Sequence, residues 1–491
     1  MASLNKNIED KEIEMVNEII DEIEIKQGME RVGSGHIKKI MSIVEEFIRS
    51  EKLICYGGTA INNILPKEEQ FYDKLIDLPD YDVFSKDALK KAKLLADTFY
   101  KAGYTTVQAK SGVHAGTFRV FVDYVQVADI TYLDPKLFNI ISKETLVING
   151  IHYAPPNYLR MEMYKELSRP DSEITRWEKV LTRLNRLNRV YPITNSKCNS
   201  ELFKADFEHT GTIKSNPSIS NTNISNTSIS KSHGELYYKR LYNTIKNNMI
   251  KQEVVFFGCY AMTLYGKYMD ERKFSNLRHV PDFDILSENP DVCAETLKVE
   301  LSKNGFKNIS LNKKVGYGEI ISSYYEVYVD GEAVCFIYKT FACHNYNTIL
   351  IGKSIVKVAS IDTMNNLFLA MYYSKQSEHN QERILCMTKY LYDLQMKNRL
   401  NKRGILKRFS SDCYGHQETL EEIKRHKDLL FKEFKKNKVK KSNPSYQKYF
   451  LNYTPNKYTV KLKVGIKKQK QHINKNEKSK TTTVKNKKNY E

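Results

Sequence analysis

The sequence lacks the features that mark membrane and secreted proteins. Its 491 residues contain no apolar run of bilayer-spanning length, and they begin with an acidic amphipathic stretch instead of a basic start followed by an apolar one. The eight cysteines are scattered, without a C-x-x-C pair or a histidine spacing typical of zinc sites. We therefore expect a soluble protein without a membrane partner, with reduced thiols in a cytosolic setting. Cys343 and His344 are predicted to be a buried thiol beside a surface histidine.

The positive charge is concentrated at one end of the chain. The formal net charge is +20, but residues 434–491 hold 18 lysines against Glu477 and Glu491 and so account for about +16 of it. The rest of the chain is therefore nearly neutral. From about residue 469 the tail shows no apolar periodicity, which predicts disorder at its end. Such a tail is expected to bind nucleic-acid phosphates without sequence preference.

Composition and periodicity divide the chain into five segments. A helical extension at 1–50 precedes a first α/β unit at 51–208. Residues 209–233 are rich in Ser, Thr and Asn and predict a flexible linker. A second α/β unit at 234–433 and the lysine-rich tail at 434–491 complete the chain.

The two units share the same order of short motifs. In the first, Gly57 follows an apolar run and precedes Asp80 by 23 residues; in the second, Gly258 precedes Asp282 by 24 residues. Each unit reads as a strand, a glycine turn with a short helix, a strand carrying D-x-D, an amphipathic helix and further strands. We therefore predict an α/β fold with mixed sheets, in two tandem copies with helical extensions.

Carboxylates in the first copy have the spacing of a metal site. Asp80 and Asp82 lie on one predicted strand, where alternation points both side chains to the same face. Two divalent ions bridged by such carboxylates can stabilise both oxygens of an in-line phosphoryl displacement. A third ligand would come from an adjacent strand, at Asp123 or Asp129. Alternation in residues 125–132 places Asp129 among apolar side chains, where a carboxylate needs a partner, whereas Asp123 matches a hairpin turn; we therefore favour Asp129.

A glycine turn precedes these carboxylates. Gly57, Gly58 and Thr59 follow an apolar strand, and backbone N–H groups at such a turn can approach a phosphate. A plain turn is the commoner reason for a glycine pair. The ordered set of turn, D-x-D strand and later strand aspartate is more informative than any of its members.

This ordered set resembles the polymerase beta-like nucleotidyltransferase superfamily. Within it, residues 127–130 and 158–167 resemble the poly(A) polymerase catalytic subunits of poxviruses and giant DNA viruses, of the mimivirus type. The resemblance covers roughly residues 35–400.

The resemblance implies a site and a reaction. Asp80, Asp82 and Asp129 would be the catalytic metal ligands, for Mg²⁺ or Mn²⁺, and ATP would be the substrate. The nucleotide would be bound by Gly57, Gly58, Thr59 and, with a solvated helix face as the alternative, Lys165; Arg160 is weighed in the same way. The implied function is polyadenylation of mRNA 3′ ends. The implied partners are the RNA 3′ end and ATP, with a homodimer or a processivity subunit as further options, and the implied setting is a viral factory in the host cytoplasm or the virion.

The second copy departs from this pattern. Gly258 is followed by Cys259 instead of glycine, and Phe336 stands at the position of Asp129. We therefore expect Asp282 and Asp284 to be structural or vestigial. Other readings remain: a terminal uridylyl- or CCA-adding transferase, a transferase acting on proteins or antibiotics, or a catalytically silent RNA-binding or assembly subunit with this fold.

Overall fold

The computed structural model describes residues 2–194, 198, 227–269, 282–374 and 381–456. The predicted α/β class is confirmed, because the described residues form two mixed sheets with helices packed on them. The first sheet and its helices comprise α1 (Ala2–Gly33), α2 (Gly35–Ser50), β1 (Ile54–Tyr56), α3 (Gly57–Ile64), β2 (Asp82–Ser85), α4 (Ala88–Lys101), β3 (Val107–Ser111), β4 (Thr117–Val122), β5 (Val125–Tyr132), α5 (Pro135–Ser142), β6 (Leu146–Ile148), β7 (Ile151–Tyr153), α6 (Pro156–Leu167) and α7 (Trp177–Val190).

The second sheet follows in the same manner. Its elements and those after it are α8 (Thr227–Lys251), β8 (Val255–Phe257), α9 (Gly258–Gly266), β9 (Phe283–Ser287), α10 (Pro290–Lys303), β10 (Ile309–Lys314), β11 (Tyr324–Val329), β12 (Glu332–Lys339), β13 (His344–Ile351), β14 (Ser354–Ala359), α11 (Ile361–Ser374), α12 (Gln381–Lys397), β15 (Cys413–Tyr414), α13 (Leu420–Lys436), α14 (Pro444–Phe450) and β16 (Asn452–Tyr453). No helix among the residues described is long and apolar enough to cross a membrane.

The two sheets have the same strand order, which confirms the internal repeat. The first runs β16-β3-β4-β5-β2-β1-β7-β6 and the second β10-β11-β12-β9-β8-β14-β13-β15. Apart from β16 and β15 at the edges, each strand of one sheet has its counterpart at the same place in the other. The hairpin turns match as well, since Asp123 and Asp330 both have positive φ, at 48° and 51°.

Alternating side chains fix the faces of these strands. Along β4, Phe118, Val120 and Val122 are buried while the residues between them are partly exposed. This period of two is the one expected for a strand with one face against a core. Helix α2 likewise buries one apolar face, which includes Ile40 and Val44.

Equivalent helices join the two units. Helix α6 closes the first unit, α11 closes the second, and the two pack against each other. Tyr158 and Tyr373 meet edge to face with ring centroids 5.3 Å apart. The side chain of Asn366 donates to the carbonyl of Met161 at 3.1 Å, so polar bonds as well as apolar packing fix this interface.

The chain returns to the first sheet after completing the second. Strand β16 pairs antiparallel with the edge strand β3, with Asn452 opposite Lys110. The predicted boundary at 434 falls inside α13, which ends at Lys436. Helix α8 begins at Thr227, inside the predicted linker; the rest of that linker and residues 457–491 lie outside the described residues.

The prediction of reduced cysteines is wrong for four of the eight. Cys198 is bonded to Cys386 and Cys343 to Cys413, with Cα atoms 5.5 and 5.2 Å apart. These pairs are 188 and 70 residues apart in sequence, so only the tertiary fold brings them together. The prediction of a surface histidine is wrong too, because His344 is buried in β13.

Candidate active site

The glycine turn joins β1 to α3 at the edge of a carboxylate cluster. Gly57 has φ of +73°, and a Cβ there would lie 2.5 Å from Oδ2 of Asp82. Both facts require glycine, because an L side chain would be strained and would collide with the carboxylate. The hydroxyl of Thr59 donates to the backbone carbonyl of Asp80 at 2.6 Å. The turn and the D-x-D segment are therefore held together as one structure.

Strand pairing brings the predicted carboxylates together. Asp82 is the first residue of β2 and lies opposite Asp129 in the parallel pair β2–β5. Asp80 precedes the strand instead of lying on it, yet the backbone N–H of Asp129 donates to the carbonyl of Tyr81, so the pairing extends between the two aspartates. Asp123 lies instead at the β4–β5 turn, where it ion-pairs with His36. The choice of Asp129 over Asp123 thus agrees with the positions of both residues.

Burial and neighbouring carboxylates raise the pKa of Asp82 and Asp129. Burial, Asp80 and Asp129 together raise the pKa of Asp82 to about 7. Burial also raises the pKa of Asp129, an effect that Arg119 opposes and Asp80 reinforces. Carboxylates that repel one another in this way are favoured only if a cation or a proton offsets the repulsion.

Two polar side chains orient Asp129, and the sequence did not identify either. Nε of Arg119 donates to Oδ2 of Asp129 at 3.3 Å, and Nε2 of Gln126 donates to Oδ1 at 3.1 Å. Arg119 lies directly opposite Asp129 in the β4–β5 pair. Hairpin register could have revealed this contact, but a bulge between Val120 and Phe121 shifts the register and conceals it.

The two basic residues considered for the triphosphate have protein partners. Arg160 is fully buried, and Nε donates to Asn188 at 2.7 Å, while its other nitrogens donate to Asn157 and to the carbonyl of Tyr191. The alternative of a solvated face is therefore wrong for Arg160, which ties α6 to the end of α7. Lys165 forms an ion pair with Glu162 on its own helix, and its role in nucleotide binding stays a prediction.

The second unit shows the predicted departures at the same positions. Phe336 lies opposite Asp284 in the β9–β12 pair, as Asp129 lies opposite Asp82. Gly258 keeps a positive φ of +60°. Ligand atoms of Cys259, Asp282 and Asp284 lie within 4.8 Å of one another. An arginine also contacts this group, since Nη2 of Arg383 donates to the thiol of Cys259 at 3.0 Å, and its positive charge opposes cation binding there.

Comparisons with known proteins point to one family for the part of the chain that carries the first site. Residues 42–173 match the family model described as poly(A) polymerase catalytic subunit. An African swine fever virus protein (strain Badajoz 1971 Vero-adapted) that carries this name is 33% identical over 163 residues, which are 32% of this chain and 34% of that protein. A protein of Acanthamoeba polyphaga mimivirus with the same name is 31% identical over 185 residues, which are 37% of this chain and 31% of that protein.

A solved structure shares the overall fold. The Megavirus polyadenylate synthase superposes with a TM-score of 0.70 at 19% identity, over 92% of this chain and 86% of that one. The matches to the two curated relatives span only about a third of their lengths. The segment that matches the poly(A) polymerase catalytic subunit model, residues 42–173, contains every residue of the predicted site.

Proposed function

We propose that this protein is a template-independent poly(A) polymerase that adds adenylates from ATP to mRNA 3′ ends with its first unit. The observation that carries the proposal is that Asp82 and Asp129 lie opposite each other on the paired strands β2 and β5, beside the Gly57 turn. Phosphoryl transfer needs a site that stabilises developing negative charge and aligns the attacking and leaving oxygens. Carboxylates that can bind divalent cations, beside the backbone N–H groups of the glycine turn, suit that task.

The donor set fits divalent cations, with Mg²⁺ or Mn²⁺ as the proposed cofactor. All three side chains are carboxylates, and the raised pKa of Asp82 reflects burial and the repulsion of Asp80 and Asp129, both of which a cation would offset. When bound, such ions would favour ionisation of the attacking 3′-hydroxyl and offset the charge on the departing pyrophosphate. Arg119 and Gln126 hold the Asp129 carboxylate in place, and the bare backbone at Gly57 leaves room beside Asp82.

Primer extension tests the proposal. A short labelled RNA is incubated with each of the four nucleotides separately, with Mg²⁺ or Mn²⁺. The wild type should make a ladder with ATP alone, and Asp80→Ala/Asp82→Ala should abolish it. The matched control is Asp282→Ala/Asp284→Ala, which removes the equivalent carboxylates of the second unit and should preserve the ladder.

Other outcomes would identify the alternatives. Extension with UTP, or a product limited to CCA, would mean a different terminal transferase. Tight RNA binding with no extension by any nucleotide would mean a silent RNA-binding or assembly subunit, or one that requires a processivity partner. Loss of the ladder in the second-unit variant but not in the first would reverse the assignment of the two units.

The basic tail is proposed to hold the RNA. Deleting residues 469–491 removes a lysine-rich segment and should flatten the salt dependence of RNA binding, while incorporation on a short primer persists. An unchanged salt slope would contradict this role. The same proposal includes a homodimer, which sedimentation would test. It also includes a setting in the viral factory of the host cytoplasm and packaging into the virion, which imaging of infected cells would test.

A further inference from the structure

Helix α1 has an apolar face that the described residues leave uncovered. Residues 8–27 are all exposed, and Gly28, which packs against Ile76, is the first buried residue after them. A stripe of four branched apolar side chains runs along the exposed part of the helix, at Ile13, Val16, Ile20 and Ile23. Each of the four is between 46% and 59% exposed. A continuous apolar stripe on a helix is typical of a surface that another segment covers.

The same helix is acidic. Residues 8–33 hold nine Asp and Glu residues against three Lys and Arg residues, which gives a net charge of −6. All nine carboxylates belong to exposed residues. A second copy of α1 would bring an equal negative charge to the stripe, and like charges repel. The charge of α1 therefore favours a basic occupant.

A basic segment with a matching pattern follows the described chain. Residues 457–468, which lie outside the described residues, have the sequence KYTVKLKVGIKK. They include five lysines and no Asp or Glu, and every second residue from Tyr458 to Ile466 is apolar. In an extended segment, residues at this period share one face. This tail segment therefore suits a surface that is both apolar and acidic, whereas residues 469–491 lack the alternation.

The chain leaves the described structure near the junction of α1 and α2. Strand β16 runs antiparallel to β3, with Tyr453 opposite Ala109, so the chain leaves β16 toward the beginning of β3. The carbonyl of Thr106, just before β3, accepts from the backbone N–H of Asp123 at 2.9 Å. The carboxylate of Asp123 pairs in turn with His36 at 3.1 Å. With strands about 4.8 Å apart, His36 lies roughly 15 Å from the point of exit.

The tail segment is long enough to reach the stripe. His36 is the second residue of α2, and α1 ends at Gly33 just before it. The nearer end of the stripe, Ile23, lies about 15 Å from Gly33 along the helix, at about 1.5 Å per residue. Residues 457–468 span about 40 Å when extended, at about 3.3 Å per residue. The position of exit and the length of the segment thus allow both to meet within one chain.

We propose that the apolar, acidic face of α1 binds the tail segment 457–468 of its own chain. The apolar residues of the segment cover the stripe, and its lysines lie beside the carboxylates of α1. Ion pairs at an exposed surface contribute little stability, so the stripe supplies most of the binding and the charges select the occupant.

This contact would divide the tail into two parts. The lysines of residues 457–468 are held by α1 and are not available to phosphates. Residues 469–491 remain free to bind RNA, a step that rests on the proposed function. The contact itself requires neither RNA nor catalysis.

Zero-length crosslinking with a carbodiimide tests the contact in the full-length protein, because this reagent joins a lysine to a carboxylate only where the two touch. Mass spectrometry should find lysines of residues 457–468 linked to Asp and Glu of α1. Val16→Gln/Ile20→Gln removes the middle of the stripe while it keeps every carboxylate, every lysine and a good helix former. The links to α1 should then fall at least about fivefold, because two apolar side chains lose their burial.

A matched control lies on the opposite side of the same helix. Ile25 and Met29 are 43% and 49% exposed, and the helical repeat places them away from Val16 and Ile20. Ile25→Gln/Met29→Gln should therefore keep the links of the wild type. Melting curves check that both variants fold. Equal links in the wild type and both variants, or no links to α1 in the wild type, would overturn the proposal.

An equal mixture of isotope-labelled and unlabelled protein identifies the occupant. Links that join peptides of one label only, between residues 457–468 and α1, are expected. Links that join both labels, whether from the tail segment to α1 or between two α1 helices, would mean that a second copy covers the stripe, and they would overturn the proposal.

The salt dependence of RNA binding gives a second readout. Release of the segment in Val16→Gln/Ile20→Gln adds up to five lysines to the RNA-binding surface, so the slope of log K against log salt should steepen by up to about 3.5, at about 0.7 for each phosphate of a single strand. An unchanged slope after loss of the links would refute the division of the tail. Links to α1 in a protein that extends no primer would sustain the contact while refuting the polymerase.

Discussion

The carboxylate cluster should make the metal-free protein less stable as the pH rises. Burial and two neighbouring aspartates raise the pKa of Asp82 from 3.8 to about 7. The folded state therefore binds the proton of Asp82 more tightly than the unfolded state does. The contribution of this proton to the free energy of unfolding is fully present below pH 3.8 and is lost as the pH rises through about 7. The whole shift corresponds to about 4 kcal/mol, of which about 2.5 kcal/mol falls between pH 5 and pH 8.

Urea unfolding in EDTA at both pH values measures this loss. The side chain in Asp82→Asn cannot ionise, so the variant should not lose the stability that the wild type loses at this position. The unfolding free energy of the variant relative to that of the wild type should therefore rise by about 2.5 kcal/mol from pH 5 to pH 8. Asp87→Asn, which changes an exposed aspartate just after the same strand, should show no such trend. Millimolar Mg²⁺ should restore much of the wild type's stability at pH 8, because it binds the folded state. A difference between Asp82→Asn and wild type that does not change with pH would refute the reasoning.

Three further predictions follow from the same structure. Asp129→Ala should lower primer extension by about 100-fold or more, whereas Asp123→Ala, at a hairpin turn, should leave it within about twofold of wild type; equal effects would place the third ligand elsewhere. Gly57→Ala should cost about 1–2 kcal/mol in urea unfolding and at least about tenfold in extension, because the added methyl meets Asp82 in a left-handed conformation; wild-type activity would mean that the turn can move. Asp362→Ala should destabilise the protein by about 3–5 kcal/mol, because it leaves the buried Arg408 unpaired; a loss below about 1 kcal/mol in urea unfolding would contradict this.

Local patterns were enough to predict the repeated unit. Alternation and glycine turns predicted both D-x-D strands, and comparison of the copies matched Asp129 with Phe336, which the strand register confirms. The preference for Asp129 over Asp123 came from the same local logic, since one lies among apolar strand residues and the other at a turn. These features depend on neighbours within a few residues, and such neighbours are visible in a sequence.

Features that depend on distant contacts could not be predicted. The bond between Cys198 and Cys386 joins residues 188 positions apart. Helical periodicity cannot show that α7 covers Arg160, so the sequence alone leaves this residue as a candidate phosphate ligand. The proximity of Arg183 to Gly58 arises only when α7 packs on the glycine turn, and no local pattern in the sequence indicates it. Each of these contacts depends on the tertiary structure, and the sequence alone shows only the types of the residues that form it.

The pairing of β16 with β3 ties the two units at a second point, after the whole second unit has been traversed. The hydroxyl of Tyr453 also donates to Asp97 of α4 at 2.5 Å, and the side chain of Lys427 donates to the carbonyl of Gly112 at 2.8 Å. A fragment that ended before α13 would therefore expose an edge of the first sheet as well as losing its basic charge. C-terminal truncations should therefore end after residue 456, because a shorter chain leaves β3 bare at the edge of the first sheet, where aggregation is expected.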